Sequence, residues 1–312
     1  MNILPAFYFP TTILCVDDND LALASYKVLL KNEFRPLYFN SSNDLFNFVT
    51  QQKSSLNINL FDNTQDYEYE NPATQSIIKL DLSPILSLVN NPDKYKQISL
   101  VIADYCMPEM NGLELFEYLQ VNKFQKLLLT EIQTFDIARQ ALNSNMINYF
   151  ANKTDSPESI LAAIRSLKYD YFISLTEAFN NYSQMNKTPV TDKIFINHFN
   201  ELVQAKNIKE YYLIDKNSSY LMIDNSGEKF IFVVHTDDSL AHFIEYIDDI
   251  DYLEPLLLKI KNKELIPFLG VGKDFSHTHA KALSDYLYEP YVLAGESNYY
   301  LHLMKLDTNT TI

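Results

Sequence analysis

Four short apolar runs in the first half of the chain each lead to a residue that can do chemistry. Ile13, Leu14, Cys15 and Val16 run into Asp17 and Asp18, and Leu100, Val101, Ile102 and Ala103 run into Asp104. Leu127, Leu128 and Leu129 run into Thr130, and Ile147, Asn148, Tyr149 and Phe150 precede Lys153. Runs of this length, separated by stretches of helical periodicity, are how parallel strands buried on both faces read. In an open α/β sheet, ligands bind outside the carboxyl ends of the strands. The pattern therefore gathers three carboxylates, a hydroxyl and an ammonium along one rim, and such a set suits metal-assisted phosphoryl transfer.

Around these runs the first half alternates strand and helix. A strand over 11–16 is followed by a helix with Leu21, Ala24, Val28 and Leu29 on one face. A short strand over 35–39 and a helix over 43–51, with Leu45, Phe46 and Val49 inside, come next. Strands at 98–103, 126–130 and 147–151 then alternate with helices at 112–120, at 134–144 and from Ser156 onward. Five such units predict a doubly wound, five-stranded parallel sheet.

Two departures from a minimal sheet domain stand out. About forty residues, 54–97, have no partner in the five-unit pattern and read as an insertion, because compact domains rarely carry long structureless loops. Within it, Ser83 as N-cap and Pro84 at the first helical position introduce a short amphipathic helix carrying Ile85, Leu86 and Leu88. It reads as an elaboration lying on the sheet edge or as a partner-docking element. The last helix, in turn, does not stop. Leu161, Ile164, Tyr171, Leu175, Ala178, Tyr182 and Met185 recur at steps of three and four residues, with Lys168 the one misfit, and without Pro or Gly. That spacing fits either a coiled-coil seam or an ordinary amphipathic helix on its own sheet. The expected organisation is a first domain over 1–168, a helical linker over 169–186 continuing its last helix, and a second domain over 187–312. The second is a mixed α/β or α+β unit, with strands at 211–215, 220–224, 230–235, 266–269 and 299–306 and a helix over 279–287.

Bulk properties narrow the function classes. A formal charge of −15 over 312 residues argues against non-specific duplex binding, which needs clustered Lys and Arg. Two cysteines make no disulfide framework and fit a reducing compartment, so a cytoplasmic location is expected. No stretch is apolar enough to span a bilayer, and the amino end lacks the basic region of a signal peptide.

The rim residues also have a common logic. A carboxylate that attacks a phosphoryl group needs the negative charge on both offset. A divalent cation held by neighbouring carboxylates does this, and hard Mg2+ prefers oxygen ligands. A lone Asp-Asp after a strand is often only a helix cap, a duty that Asn19 or Asp20 could perform here. The residue strings are more specific. Val16-Asp17-Asp18, Asp104-Tyr105-Cys106-Met107-Pro108-Glu109-Met110-Asn111-Gly112, Leu129-Thr130 and Phe150-Ala151-Asn152-Lys153 together resemble the receiver domain of two-component response regulators.

That resemblance covers about 10–168 without the insertion and implies the flavodoxin-like strand order 2-1-3-4-5. It implies that Asp104 accepts a phosphoryl group from a sensor histidine kinase or phosphotransfer protein. It implies Mg2+ ligation by Asp18, Asp104 and the Cys106 carbonyl, with Asp17 acting mainly through water. Lys153 and Thr130 would meet the phosphoryl oxygens, and Thr130 and Phe150 would form the switch that reshapes a face used for homodimer formation or output. Two positions depart from the family pattern. Thr154 stands where a proline after a cis bond is usual, and Glu131 where a small residue is common.

Downstream, the insertion and the pattern of Tyr211 to Asp215 and Ser219 to Asp224 resemble response regulators of the Legionella quorum-sensing group, whose output domain is uncharacterised. That implies phosphorylation control and leaves the output partner open: a protein or small ligand, a nucleotide messenger turned over by an effector enzyme, or, against the charge, a nucleic acid. His235, Asp237, Asp238 and His242 lie close together and His277 and His279 follow downstream of Gly270 to Lys273, a conceivable metal set, although a strand end and a helix cap explain the first group better. No nucleophilic triad, phosphate loop or basic recognition helix is identifiable.

Overall fold

From the amino end, β1 (Phe7–Tyr8) precedes β2 (Thr12–Val16), α1 (Asp20–Leu30), β3 (Arg35–Phe39) and α2 (Ser42–Gln51). The inserted segment carries β4 (Phe61–Asp62), β5 (Lys79–Leu80) and α3 (Ser83–Val89). The alternation resumes with β6 (Ile98–Asp104), α4 (Gly112–Tyr118), β7 (Gln125–Thr130), α5 (Phe135–Asn143), β8 (Tyr149–Asn152) and α6 (Pro157–Leu175). Then come α7 (Glu177–Met185), α8 (Lys193–Ala205), β9 (Ile208–Leu213), β10 (Tyr220–Asp224), β11 (Lys229–Thr236), α9 (Asp237–Ile247) and α10 (Glu254–Lys261). The chain ends with β12 (Ile266–Pro267), β13 (Leu287–Tyr288), β14 (Tyr291–Ala294) and β15 (Asn298–Lys305). This computed structural model describes residues 3–52, 56, 58–62, 79–120, 123–130, 135–247, 253–271, 282–295 and 297–306. Its contacts divide into two units: Phe9–Ile58 with Asn91–Leu175, and Met1–Tyr8 with Asn59–Asn90 and Thr176–Ile312.

The first unit is the expected five-stranded sheet, order β3-β2-β6-β7-β8, with every neighbouring pair parallel. Alternate residues of each strand feed two separate cores, as the period of a strand requires. Leu14, Val16, Val101, Ala103 and Leu128 pack against Leu45 and Val49 of α2, Leu115 and Phe116 of α4, and Ala138 and Ala141 of α5. Ile13, Cys15, Leu100, Ile102, Leu127 and Leu129 pack on the other face against Leu30 of α1 and Ile160, Ile164 and Leu167 of α6. Burial on both faces explains why the strands read as unbroken apolar runs.

Of the stripe that periodicity marks on α1, Leu29 packs against the core while Leu21, Ala24 and Val28 are exposed. Leu21 and Val28 are 79% and 67% exposed, whereas Leu23 and Leu30 face the core. The helix is apolar on more than one side, and the choice of stripe falls to the tertiary contacts. The long final helix also divides. Thr176 leaves helical geometry (φ −126, ψ 37), so α6 ends at Leu175 and α7 starts anew. Ile164, Tyr171 and Leu175 are buried within the protein, with Phe172 edge-on to Phe9 at 5.1 Å, and Met185 at the far end is 84% exposed. The apolar spacing serves the sheet unit's own core through Leu161 and Ile164.

The second unit is a six-stranded antiparallel sheet, order β1-β9-β10-β11-β15-β14. Phe195 and Phe199 of α8 pack on one face against Tyr211, Tyr220, Phe232 and Tyr299. The insertion belongs to this unit. Its strands β4 and β5 pair with each other, and α3 buries Ile85, Leu88 and Val89 and packs near β9. Leu82, not Ser83, occupies the cap of α3. In place of the expected helix over 279–287, the described part holds a 3-10 turn, Leu283–Tyr286, leading into β13.

Candidate functional site

Strand register brings the rim residues together. In β2 and β6, Val16 lies opposite Ala103, so Asp17 and Asp104 are the next positions on neighbouring strands. Asp104 lies opposite Leu129 and Thr130 opposite Asn152, which sets Thr130 and Lys153 on successive steps of the same rim. The sheet changes winding direction between β2 and β6, and such a switch point opens a crevice at the strand ends.

Local chemistry keeps the carboxylates available. Asn19, not either aspartate, caps α1: its side chain accepts the Leu21 and Ala22 amides. Beyond Asp104 the loop returns to α4 through a capping box. The Asn111 side chain accepts the Leu113 and Glu114 amides, and the Glu114 carboxylate accepts the Asn111 amide. The Gly112 amide donates to the Tyr105 carbonyl at 3.1 Å, holding the loop close to the strand.

Asp17 is fully buried and Asp104 is 5% exposed, while Asp18 faces solvent. One carboxylate oxygen from each lies within 4.8 Å of the others, and among the described residues this is the group placed to share a cation. Lys153 Nζ bridges two of them, at 2.8 Å from Asp104 Oδ2 and 2.9 Å from Asp17 Oδ2. Asp17 Oδ1 accepts the Asn19 amide at 3.0 Å, and its Oδ2 also accepts the Tyr26 hydroxyl at 3.2 Å.

Burial pushes the Asp104 carboxyl above the usual range, and the Lys153 ammonium offsets part of that while the Asp17 charge adds to it. Burial works against the Lys153 charge, but its hydrogen bonds to Asp104 and Asp17 outweigh that and hold the ammonium above an ordinary lysine. Among the described residues the site is therefore an anionic pocket with Lys153 as its fixed cation. Oxygen donors in this number suit a hard divalent ion.

The other expected residues are placed as follows. Thr130 is buried at the end of β7, and its carbonyl accepts the Lys153 amide at 3.0 Å. Phe150 lies in β8, half-buried against the core that holds Leu128. The Cys106 side chain is exposed, and its backbone N–H donates to the Asp104 carboxylate. The Lys153–Thr154 bond is trans, and the Thr154 amide and hydroxyl both donate to Asn152 Oδ1, at 2.9 and 2.7 Å. Glu131, His277 and His279 lie outside the described residues. His235 and His242 do not converge on a shared ligand position. His235 Nε2 donates to the Pro267 carbonyl, and its Nδ1 lies 3.0 Å from Ser239 Oγ; His242 Nδ1 donates to the Asp238 carbonyl. Sequence reasoning missed Tyr26. Its signal is a polar-tipped ring at a three- and four-residue step between Leu23 and Leu30, on the stripe that faces the core.

No protein-family model matches the chain, and no curated protein does. Among solved structures, the Legionella pneumophila response regulator LqsR is similar over 99% of this chain and 91% of its own, at 23% identity and a TM-score of 0.78. A structure of an adenylate cyclase from Rhodopirellula baltica aligns with 56% of this chain and 98% of its own at 18% identity, but with a TM-score of 0.38. No helix among the described residues is long and apolar enough to cross a membrane. The chain thus shares the fold of LqsR; in this chain a receiver-type parallel sheet, order 2-1-3-4-5, carries an acidic cluster at its rim, and a second unit is antiparallel.

Proposed function

We propose that the chain is a phosphorylation-controlled response regulator in which Asp104 is the phosphoacceptor. The observation that carries this reading is the Lys153 ammonium, lodged between two buried carboxylates of a three-aspartate cluster. An Asp104 oxygen attacks the phosphorus of a phosphohistidine or acyl phosphate; the new O–P bond forms as the bond to the donor breaks, and the donor leaves with the electron pair. Asp18, Asp104 and the Cys106 carbonyl would hold Mg2+, with Asp17 behind them, and the ion would supply charge neutralisation for the incoming phosphoryl group. Lys153 then neutralises the oxygens that carry the developing charge, and Thr130 donates its hydroxyl to one of them.

The same reading makes Thr130 and Phe150 the switch. Turning the Thr130 hydroxyl toward the phosphoryl group frees space beside β8 for the Phe150 ring, and the altered face drives homodimer formation or signals to the second unit. The donor partner is a sensor histidine kinase or a phosphotransfer protein, and the second unit binds the output partner. Acetyl phosphate with Mg2+ tests the reading. Intact mass should show one added phosphoryl group on the wild-type chain and none on Asp104→Asn or in chelator. Equal labelling of Asp104→Asn overturns it.

A further inference from the structure

Asp17 is the most enclosed member of the cluster, and three donors hold it. The Asn19 amide takes Oδ1, while Lys153 Nζ and the Tyr26 hydroxyl share Oδ2. These two donors differ in how free they are to leave. Lys153 comes from the loop after β8, keeps part of its side chain in solvent, and already divides its ammonium between Asp17 and Asp104. On the phosphoacceptor reading, on which this inference rests, that ammonium must turn to the group on Asp104. Oδ2 then loses a donor in a place solvent does not reach, and a buried acceptor left short of partners is costly.

Tyr26 cannot leave in the same way. Its ring packs on the core formed by Ile13, Cys15 and Leu30, which fixes it without the long 3.4 Å contact of the Tyr38 hydroxyl with its carbonyl. The hydroxyl is thus carried on a rigid plane from inside α1, the helix whose cap also supplies the Asn19 amide.

We propose that Tyr26 is a positioning residue for the acidic cluster: its hydroxyl keeps Asp17 Oδ2 oriented toward the cation site while Lys153 exchanges between Asp17 and the group on Asp104. Partners in the outer shell of metal-binding carboxylates typically contribute 10- to 100-fold in metal affinity. A single neutral hydroxyl belongs at the low end, so the expected effect is about tenfold.

The test is calorimetric titration of Mg2+ into the full chain, with no phosphodonor present. Tyr26→Phe keeps the ring and removes the hydroxyl; Tyr38→Phe removes a neighbouring hydroxyl that touches no carboxylate. The Mg2+ dissociation constant should rise about tenfold in Tyr26→Phe and stay within about twofold in Tyr38→Phe. Metal-free melting temperatures and far-UV dichroism report whether either substitution disturbs the fold. Equal affinity in wild type and Tyr26→Phe, tighter binding by Tyr26→Phe, or the same loss in both variants overturns the inference and leaves the phosphoacceptor reading standing. A wild-type chain that binds no Mg2+ overturns both.

Discussion

Lys153 is the most exacting place to perturb the parallel-sheet unit, because its one charge serves two buried carboxylates. Lys153→Met keeps most of the aliphatic volume and removes the ammonium that lies 2.8 Å from Asp104 and 2.9 Å from Asp17. The carboxylates left behind, 6% and 0% exposed as side chains, face each other across no more than 4.8 Å. Two like charges at that separation repel by about 3.5 kcal/mol at an effective dielectric constant near 20. Removing one partner of a buried ion pair typically costs about 3–5 kcal/mol. Both routes give a loss of roughly 3 kcal/mol at pH 7 without metal.

The loss carries a pH signature of known sign. Burial already holds the Asp104 carboxyl above its usual range, and losing Lys153 removes the opposing influence. A carboxyl whose folded pKa is raised binds more protons folded than unfolded, so stability rises as pH falls toward the unfolded value. The deficit of Lys153→Met should therefore shrink from pH 7 downward, by at most about 1.4 kcal/mol per pH unit, and millimolar Mg2+ should shrink it as well. Urea unfolding followed by far-UV dichroism, at pH 7 and 5.5 in chelator and at pH 7 with Mg2+, measures all three. A metal-free deficit below about 0.5 kcal/mol at pH 7, or one unchanged at pH 5.5, refutes the reasoning.

Two further outcomes follow from other places in the molecule. A Cβ on Gly112 would lie 2.3 Å from the Asp104 carbonyl oxygen and 2.8 Å from Leu128 Cδ1; the first contact is backbone and cannot yield, so Gly112→Ala should cost about 2–3 kcal/mol in urea unfolding. A variant as stable as wild type would mean that the loop entering α4 relaxes without cost. In the second unit, burial pushes the His235 imidazole below its usual pKa, so the unfolded chain takes up the proton first and stability falls as pH drops below about 6.5. Burial raises the neighbouring Asp215 carboxyl, which acts in the opposite sense nearer its own range, so the comparison belongs between about pH 6.5 and 5.5. His235→Gln should flatten the decline in melting temperature over that interval, and an equal slope in both proteins would show that His235 ionises freely in the fold.

The sheet and its rim were legible because their causes are local. Each of the runs ending at Val16, Ala103 and Leu129 is a strand buried on both faces, and such strands carry their signature in a few consecutive residues. Parallel register then dictates that Asp17, Asp104, Thr130 and Lys153 share one edge. What was not legible depends on contacts distant in sequence. Leu21 and Val28 satisfy helical periodicity as well as Leu23 and Leu30 do, and only the neighbours of α1 choose between the stripes. The two-residue β1 exists because Phe7 and Tyr8 pair with Tyr212 and Tyr211 some two hundred positions later, a partnership with no local mark. The same holds for α3, whose amphipathic pattern was readable but whose place near β9 was not. The break at Thr176 carries neither Pro nor Gly to announce it.

The central claim is that one aspartate in the rim cluster becomes an acyl phosphate. Borohydride reduces an aspartyl phosphate to homoserine, so treating the chain with acetyl phosphate and Mg2+, reducing it and mapping the peptides locates the modified side chain directly. Homoserine should appear at position 104 only when donor and Mg2+ are both present. Homoserine at position 17 or 18 instead, or none at any position while the metal binds, would contradict the account.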